Sequence, residues 1–195
     1  MWHEKLKDYK IILASGSPRR QELMKGLGID FSIDVRKVEE IHPSHLKASE
    51  ITDYLSELKA KAFPHISENE IVITGDTLVW KDGGALGKPK NRDGAMKMLR
   101  LLSGGMHEVI TSVCFTGKNY QTTVNDTTKV WFNPLTEAEI YYYVNTFRPF
   151  DKAGAYGIQE WIGLMGIGKI EGSYFNVMGL PTHLVYKTLM EIAKR

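Results

Sequence analysis

The chain has 195 residues, with 25 basic and 23 acidic side chains and a formal charge of +2. This near balance argues against a nucleic-acid polymer as partner, because such binders carry a strong basic excess. Hydrophobic residues make up 43% and charged residues 25%, which is the composition of an ordinary globular domain. The length fits one domain over 1–195, or two lobes that are not separable by sequence order.

The compartment is indicated by cysteine content and by the N-terminal sequence. The single cysteine, Cys114, excludes an intrachain disulfide and suits a reducing environment. The first ten residues alternate in charge and lack the apolar stretch of a signal peptide. Apolar runs stay well below the roughly 20 residues that a membrane helix needs. We therefore expect a cytoplasmic protein with no membrane partner.

Apolar periodicity predicts strands and helices in alternation, with one long hairpin. The predicted strands are 11–14, 31–35, 71–74, 109–115 and 120–132, and helices are predicted to begin near Pro18, Ser49, Ala95, Thr136 and Pro181. Residues 78–80 either continue the third strand or start a hairpin arm that turns at 82–84. The glycine-rich segment 151–180 predicts loops and short strands close to a ligand. The expected class is α/β with a mixed sheet.

A candidate phosphate site lies at Ser15–Arg20, between the first strand and the first helix. Backbone N–H groups at a helix start carry partial positive charge, and Arg19 and Arg20 can grip phosphate oxygens bidentately. The same residues also fit a capped helix with two solvated arginines. The spacing alone favours neither interpretation.

Asp76 follows a buried strand, which we expect to end at Gly75-Asp76-Thr77. Ligands of α/β sheets bind at the carboxyl ends of strands, although this tripeptide alone also fits an ordinary turn. With Glu40, Asp76 supplies carboxylates for a metal ion or a water molecule.

The segment Leu86–Pro89 resembles part of a P-loop, but it departs from that motif. Pro89 has no hydroxyl for a metal and no N–H for a phosphate, so a Walker-type ATPase is excluded. Lys88 is then either a fixed phosphate contact or a surface residue. Together with the two arginines and two carboxylates, it completes a set suited to metal-assisted attack on a phosphate ester or anhydride.

From about Lys10 to Lys194 the chain resembles the Maf family of nucleoside triphosphate pyrophosphatases. The motifs of 13–23 and 151–159 are the most specific, and all of the motifs occur in the family's order. The resemblance is carried, in order, by Leu13–Leu23, Glu40, Leu55–Ala60, Thr74–Thr77, Leu86–Pro89, Leu102–His107, Asp151–Gln159 and Gly172–Pro181.

This resemblance implies an elongated mixed β-sheet with flanking helices and a cleft between two lobes, as in the inosine triphosphate pyrophosphatases. It implies hydrolysis of a nucleoside triphosphate to the monophosphate and pyrophosphate. The Asp-Lys-Ala-Gly-x-Tyr-x-Ile-Gln form at 151–159 resembles the subgroup that acts on dTTP and UTP, and modified pyrimidine nucleotides are further candidates. A house-cleaning role linked to cell-division arrest, a divalent cation (Mg²⁺ or Mn²⁺) and a homodimer are also implied.

The resemblance assigns site residues one by one. Asp76 matches the family's proton acceptor, while Arg19, Thr77 and Gln159 match positions tied to substrate choice. The remaining matches to cleft positions are Ser15, Arg20, Glu40, Lys59, Lys88, Asp151 and Lys152. Of these, Glu40, Lys59 and Lys88 are expected to serve catalysis. Glu40 and Asp76 are the expected metal ligands, and the sequence leaves open whether Asp76 is ligand or base.

Two departures from the family pattern are visible. Ser56 stands where Ala is usual, and Glu160 and Trp161 follow Gln159 where a small residue is common. The second departure bears on the shape of the base pocket.

Two further functions are open alternatives. One alternative is a nucleotide-binding regulator of septum formation with incidental hydrolysis. The other is a purine-type pyrophosphatase acting on ITP or XTP.

Overall fold

The computed structural model describes residues 2–194, with side chains from Glu4 onward. In chain order the elements are α1 Trp2–Leu6, β1 Lys10–Leu13, α2 Pro18–Gly26, β2 Ser32–Ile33, α3 Ser49–Ala60, β3 Glu70–Lys81, β4 Gly84–Leu86, α4 Arg92–Leu102, β5 Met106–Gly117, β6 Tyr120–Phe132, α5 Glu137–Phe147, a 3-10 turn Ala153–Ala155, α6 Trp161–Gly166, β7 Ile167–Glu171, α7 Tyr174–Met178 and α8 Thr182–Ile192. Helices and strands interleave as the apolar periodicity predicts.

Seven strands form one sheet in the order β2-β1-β3-β5-β6-β7, and β4 pairs with β3. β1 is parallel to both β2 and β3, and in its pairing with β3 Leu13 lies opposite Ile73. β4 is antiparallel to β3, and β7 is antiparallel to β6. The predicted α/β class with a mixed sheet is therefore confirmed.

Local sequence signals mark where two of the helices begin. At α5, the Thr136 side chain accepts from the backbone N–H of Glu139, and the Glu139 carboxylate accepts from the N–H of Thr136. This is the capping box that the sequence predicts. At α2, Ser17 occupies the N-cap position and Pro18 the first turn, but the Ser17 side chain makes no capping bond. Instead, the Ser17 N–H donates to the hydroxyl of Ser15 over 3.3 Å.

The structure decides between the two predictions for residues 78–80: they continue the third strand, which confirms that alternative, and the expectation that the strand ends at Gly75-Asp76-Thr77 is wrong. Residues 78–80 favour extended backbone, and β3 continues to Lys81 before it turns at Asp82 and Gly83 into β4. Asp76 consequently lies inside β3. It still lies beyond the carboxyl end of the parallel pair, because β1 ends opposite Ile73.

The segment 151–180 is more regular than its glycine content predicts. It contains α6, β7 and α7 where loops and short strands are expected. A Cβ atom on Gly163 would lie 1.8 Å from the carbonyl oxygen of Ile158, so this glycine permits close backbone packing inside a helix. Glycine here marks close approach of backbones as well as turns.

The chain forms two compact units, each assembled from segments that are distant in sequence. Unit 1 comprises residues 2–76, 111–126 and 179–194, and unit 2 comprises 77–110 and 127–178. A single domain over 1–195 stays a prediction. Within the described residues, no helix has both the length and the apolar character needed to cross a bilayer.

Each unit has its own apolar core. In unit 1 the core joins β1 and β3 to α8, through side chains such as Leu13, Ile71 and Leu189, all almost fully buried. In unit 2 it joins α4 to α5, through side chains such as Leu99 and Tyr143. These cores hold in place the strands and helices that carry the polar residues described next.

Candidate active site

Ser15 and Asp76 lie just beyond the carboxyl ends of the parallel strand pair in unit 1. The backbone N–H of Ala14 bonds to the carbonyl of Ile73 over 2.8 Å, which extends the pairing of β1 with β3 by one step. Ser15 is buried and Asp76 is partly buried, so both are fixed by the sheet. This is the edge at which α/β sheets bind ligands.

Three predicted site residues meet around one ammonium group in unit 1. Lys59, near the end of α3, donates from Nζ to Oδ1 of Asp76 over 2.7 Å, and its Nζ lies 3.2 Å from Oε1 of Glu40. Lys59 also reaches the carbonyl oxygen of Gly75 at 3.4 Å. We call Glu40, Lys59 and Asp76 the Lys59 cluster. It combines a carboxylate in β3 with a cation and an acid from two other segments.

Arg20 supports the backbone just before Asp76. Its Nη1 donates to the carbonyl of Gly75 over 2.9 Å and to the Ser15 hydroxyl over 3.4 Å, while Nε donates to the carbonyl of Gly179 over 2.8 Å. Burial lowers the pKa of this guanidinium, and the charge of Asp76 works in the opposite direction. Arg20 thus ties α2 to β3 and to the chain before α8. Its predicted contact with phosphate stays a prediction.

The helix that carries Lys59 is held against β3 by polar contacts. The Thr74 hydroxyl donates to the backbone carbonyl of Ser56 over 2.7 Å, and the Ser56 hydroxyl donates to the carbonyl of Asp53 over 2.8 Å. The hydroxyl and the backbone carbonyl of Ser56 therefore both have hydrogen-bond partners inside the protein. The departure at Ser56 is accommodated by these two hydrogen bonds.

A second ammonium between two carboxylates lies in unit 2. Lys152 donates to Oδ1 of Asp151 over 2.8 Å, and its Nζ lies 3.0 Å from Oε1 of Glu160. Glu160 also accepts a hydrogen bond from the hydroxyl of Tyr143, a fully buried residue of α5. We call Asp151, Lys152 and Glu160 the Lys152 cluster. Asp151 and Lys152 are predicted site residues, whereas the sequence noted Glu160 only as a bulky departure.

Gln159 lies in a tight turn beside the Lys152 cluster. The backbone N–H of Glu160 donates to the carbonyl of Gly157 over 3.0 Å, which closes the turn 157–160. Within the described residues, the amide oxygen Oε1 of Gln159 is buried and accepts no hydrogen bond. A buried acceptor without a donor is costly unless a ligand supplies the donor.

For the other predicted site residues, the structure gives the burial and the position in the chain. In unit 1, Arg19 is half-buried in the first turn of α2. In unit 2, Thr77 is half-buried in β3 and Lys88 is exposed after β4. The carbonyl of Gly87, which precedes Lys88, accepts from the N–H of Gly154 over 3.1 Å. The backbone before Lys88 is therefore tied to the segment that contains Lys152.

Sequence reasoning missed the buried pair that supports this segment. The imidazole Nε2 of His107 lies 2.7 Å from the hydroxyl of Tyr156, and the ring stacks on Phe132 with centroids 5.6 Å apart. Burial, with the nearby charge of Lys81, lowers the pKa of His107 to about 3. The histidine is therefore neutral at physiological pH. Its presence in the 102–107 motif was the only sequence signal.

The Lys59 cluster offers a partial ligand set for a cation. Mg²⁺ in nucleotide enzymes is usually held by one or two carboxylates together with substrate phosphates. Glu40 and Asp76 are two such carboxylates, each within contact distance of Lys59. In the described part of the chain, no group of three or more His, Cys, Asp or Glu side chains is arranged to hold a metal ion. The two carboxylates are of the chemical type that binds such an ion together with phosphate oxygens, and in the structure both contact Lys59.

Comparison with solved structures first defines the fold. The structure of the Staphylococcus aureus Ham1 protein aligns with a TM-score of 0.53, covering 94% of this chain and 99% of that chain. The identity is 17%, so the likeness concerns the fold alone. The fold-level resemblance is that of a mixed α/β protein of similar length.

Sequence comparison then identifies the family. Residues 10–192 match the family described as Maf-like protein, and the chain belongs to this Maf family. A dTTP/UTP pyrophosphatase of Christiangramia forsetii is 61% identical over 193 residues, which is 98% of both chains. Proteins of the same name from Flavobacterium johnsoniae and Bacteroides thetaiotaomicron are 57% and 49% identical, with 97% and 96% of this chain and 98% of each relative covered. The resemblance predicted from the motifs is confirmed.

Proposed function

We propose that this protein hydrolyses dTTP and UTP to the nucleoside monophosphate and pyrophosphate. The observation that carries the proposal is the Lys59 cluster, where one ammonium lies between a carboxylate of β3 and a second acid. The full-length similarity to proteins named dTTP/UTP pyrophosphatase supports the reaction and the substrates. Modified pyrimidine nucleotides would be processed by the same chemistry in a house-cleaning role, with cell-division arrest as a downstream link.

In the proposed reaction a water molecule attacks the α-phosphorus. Asp76 takes a proton from this water, the new P–O bond forms, and the bond from the α-phosphorus to the bridging oxygen breaks. Pyrophosphate leaves with the bridging oxygen. A positioned carboxylate contributes about 10²–10⁴ in rate to such a proton transfer.

Positive side chains would offset the charge of the triphosphate. One cation at about 4 Å is worth about 4 kcal/mol at an effective dielectric constant near 20. We assign phosphate contacts to Lys59 and, after it, to the other cationic and hydroxyl side chains of the predicted set: Ser15, Arg19, Arg20, Lys88 and Lys152. Thr77 and Asp151 complete the substrate-binding residues of the proposal.

Glu40 and Asp76 would hold Mg²⁺ or Mn²⁺ when the nucleotide binds. Such an ion, when bound, withdraws charge from phosphate oxygens and makes the α-phosphorus easier to attack. Titrating the metal separates the roles of the two acids. Glu40→Gln is expected to raise the metal concentration needed for half-maximal rate, whereas Asp76→Asn is expected to stay inactive at saturating metal. If excess metal restored Asp76→Asn, Asp76 would act through metal binding alone, and its proposed role as the base would be refuted.

Gln159 is proposed to read the base. Thymine and uracil present an N3–H donor beside an O4 acceptor, whereas cytosine presents an N3 acceptor beside an amino donor. The buried Oε1 of Gln159, which accepts no hydrogen bond within the described residues, matches the N3–H, and its amide N–H matches O4. Gln159→Glu retains an acceptor and loses the donor. The ratio of kcat/KM for UTP over CTP should fall by at least about tenfold.

Release of monophosphate and pyrophosphate from dTTP, UTP, CTP, ITP and 7-methyl-GTP tests the proposal. We expect the highest kcat/KM with dTTP and UTP. Tight nucleotide binding without turnover would point to the regulator of septum formation, and preference for ITP would point to the purine-type enzyme. A homodimer in solution and a cytoplasmic location also belong to the proposal. Light scattering of the purified chain and fractionation of expressing cells check them.

A further inference from the structure

Glu160 occupies the place where the family pattern commonly has a small residue, and the structure gives this side chain several partners. Oε1 lies 3.0 Å from Nζ of Lys152, and Oε2 accepts from the hydroxyl of Tyr143. The same hydroxyl accepts the backbone N–H of Gly157 over 3.0 Å. A continuous chain of polar contacts thus joins the turn 157–160 to the ammonium of Lys152.

We propose that Glu160 and Tyr143 are positioning residues, which together fix the Lys152 ammonium and the turn that carries Gln159. The proposal rests on the proposed function for its meaning in catalysis. Neither residue is required to touch the nucleotide. Their effect is exerted through Lys152 and Gln159.

Burial makes Glu160 the main counter-ion of Lys152. The Lys152 side chain is 9% exposed, the Glu160 side chain 19% and the Asp151 side chain 57%. An ion pair with an exposed partner is weak, whereas a partly buried pair with hydrogen bonds at both oxygens is held in one geometry. Glu160 is therefore the partner that determines where the Lys152 ammonium lies, and the exposed Asp151 adds little to its position.

Tyr143 keeps the Glu160 carboxylate in one orientation. Burial, reinforced by the hydrogen bond to Glu160, raises the pKa of this tyrosine. The hydroxyl thus remains a donor throughout the physiological range. Tyr143 belongs to the core of unit 2, so its hydrogen bond anchors the Glu160 carboxylate to a buried position of α5.

The packing around Gly157 also indicates a built arrangement. A Cβ atom added there would lie 2.9 Å from Cδ of Glu160 and 3.1 Å from Nε2 of Gln159. The carboxylate of Glu160 and the amide of Gln159 are therefore packed directly over this glycine. Displacing Glu160 would change the surroundings of Gln159 at the same time.

Steady-state kinetics with dTTP tests the proposal through Glu160→Gln and Tyr143→Phe. We expect Glu160→Gln to raise KM about tenfold and Tyr143→Phe about fivefold, with kcat changed less than about twofold. Glu171→Gln, an exposed glutamate paired with Lys169, and Tyr142→Phe, on the surface of the same helix, are matched controls with unchanged KM. An unchanged or lower KM for Glu160→Gln would overturn the proposal. If the Glu160 carboxylate acted only by repelling the triphosphate, its neutralisation would strengthen dTTP binding and lower KM.

Acetylation of Lys152 by acetic anhydride, followed by peptide mass spectrometry, gives a readout that needs no activity. Loss of the Glu160 charge should raise the labelling rate of Lys152 several-fold relative to the other lysines. An unchanged rate would overturn the positioning role even if dTTP were hydrolysed. Wild-type protein without turnover would instead refute the proposed function and leave the labelling result valid.

The conservative variant Glu160→Asp keeps a carboxylate and withdraws it by one methylene. It should give KM and labelling values between those of the wild type and Glu160→Gln. If Glu160→Gln does not fold, Glu160→Asp takes its place in both measurements. Gly157→Ala should raise KM in the wild type but much less beside Glu160→Ala, and independent effects of the two changes would contradict the packing argument.

Discussion

Lys59 in unit 1 and Lys152 in unit 2 each lie between two carboxylates, one exposed and one mostly buried. In the Lys59 cluster the exposed acid is Glu40 at 46% and the buried one is Asp76 at 13%. In the Lys152 cluster they are Asp151 at 57% and Glu160 at 19%. The charge pattern is therefore the same in the two units.

The two clusters differ in how the buried carboxylate is used. Asp76 accepts from Lys59 through Oδ1, whereas Glu160 uses one oxygen for Lys152 and the other for the Tyr143 hydroxyl. Both oxygens of Glu160 are thus committed to holding protein groups. The comparison teaches that equal charge patterns can be built differently, since the printed contact of Asp76 is with Lys59 through one oxygen and Glu160 contacts protein groups through both.

The largest expected effect is that of Asp76→Asn. This change keeps the shape of the side chain and removes its basicity, so kcat for dTTP should fall about 10³-fold. Asp34→Asn, which alters an exposed carboxylate of the same unit paired with Arg36, is the matched control and should leave kcat unchanged. If Asp76→Asn hydrolysed dTTP with the kcat of the wild type, Asp76 would not be the base, and the proposed functional difference between the two clusters would be refuted.

The two lysines should differ in the kinetic constant they affect. Lys59→Met removes a cation beside the proposed base and should lower kcat about 10²-fold. Lys152→Met removes a charge held for binding and should mainly raise KM for dTTP. Lys61→Met, an exposed lysine just after α3, is the control for loss of a charge. A kcat effect of equal size from both lysines would show that the clusters act alike.

Gly75 lies beside the Lys59 cluster and Gly157 beside the Lys152 cluster, and their replacement by alanine should affect the free energy of unfolding differently. A Cβ atom on Gly75 would lie 2.9 Å from the backbone oxygen of Ser112, so Gly75→Ala should destabilise the protein by about 2–3 kcal/mol. Gly157→Ala meets only the ends of side chains and should cost less. Gly26→Ala, with open space around its Cβ, should be neutral or stabilising by about 0.5 kcal/mol. Urea unfolding at one pH measures all three, and equal losses at Gly75 and Gly157 would contradict the packing distances.

The last expected effect depends on pH and concerns the buried histidine that supports the Lys152 segment. Burial lowers the pKa of His107 from 6.5 to about 3. Between these two pH values the histidine is protonated in the unfolded chain and neutral in the folded protein. Its contribution to stability is complete above about pH 6.5 and is lost as the pH falls towards 3. The free energy of unfolding should drop by about 2 kcal/mol between pH 7 and pH 5.

Histidine variants isolate this contribution. Urea unfolding of His107→Gln should show a pH dependence weaker by about that amount, while the exposed His183→Gln should behave as the wild type does. An unchanged pH dependence in His107→Gln would mean that His107 titrates normally in the fold.

Much of the fold could be predicted because local signals agree with the tertiary structure. The capping box at Thr136 and Glu139 forms as predicted, and the branched run at 11–14 becomes β1. The sequence leaves open whether β3 ends at Gly75-Asp76-Thr77 or continues through 78–80, because Gly75 looks like a strand terminator. It is instead the place where the Arg20 guanidinium and the Ser112 carbonyl approach the backbone. A close approach of that kind leaves no mark on the sequence beyond the glycine itself.

By itself, the sequence determined the family, the reaction class and the candidate residues, because ordered motifs at 13–23, 74–77 and 151–159 are specific. Only the tertiary structure decided which charges are partners. Lys59 is separated from both Glu40 and Asp76 by many residues, and its contacts with them depend on how α3 packs on β3 and on where the segment between β2 and α3 runs. The role of Glu160 likewise follows from a tyrosine in a different helix. Ion pairs and hydrogen bonds act over a few ångströms, so packing in three dimensions, and not spacing along the chain, sets them.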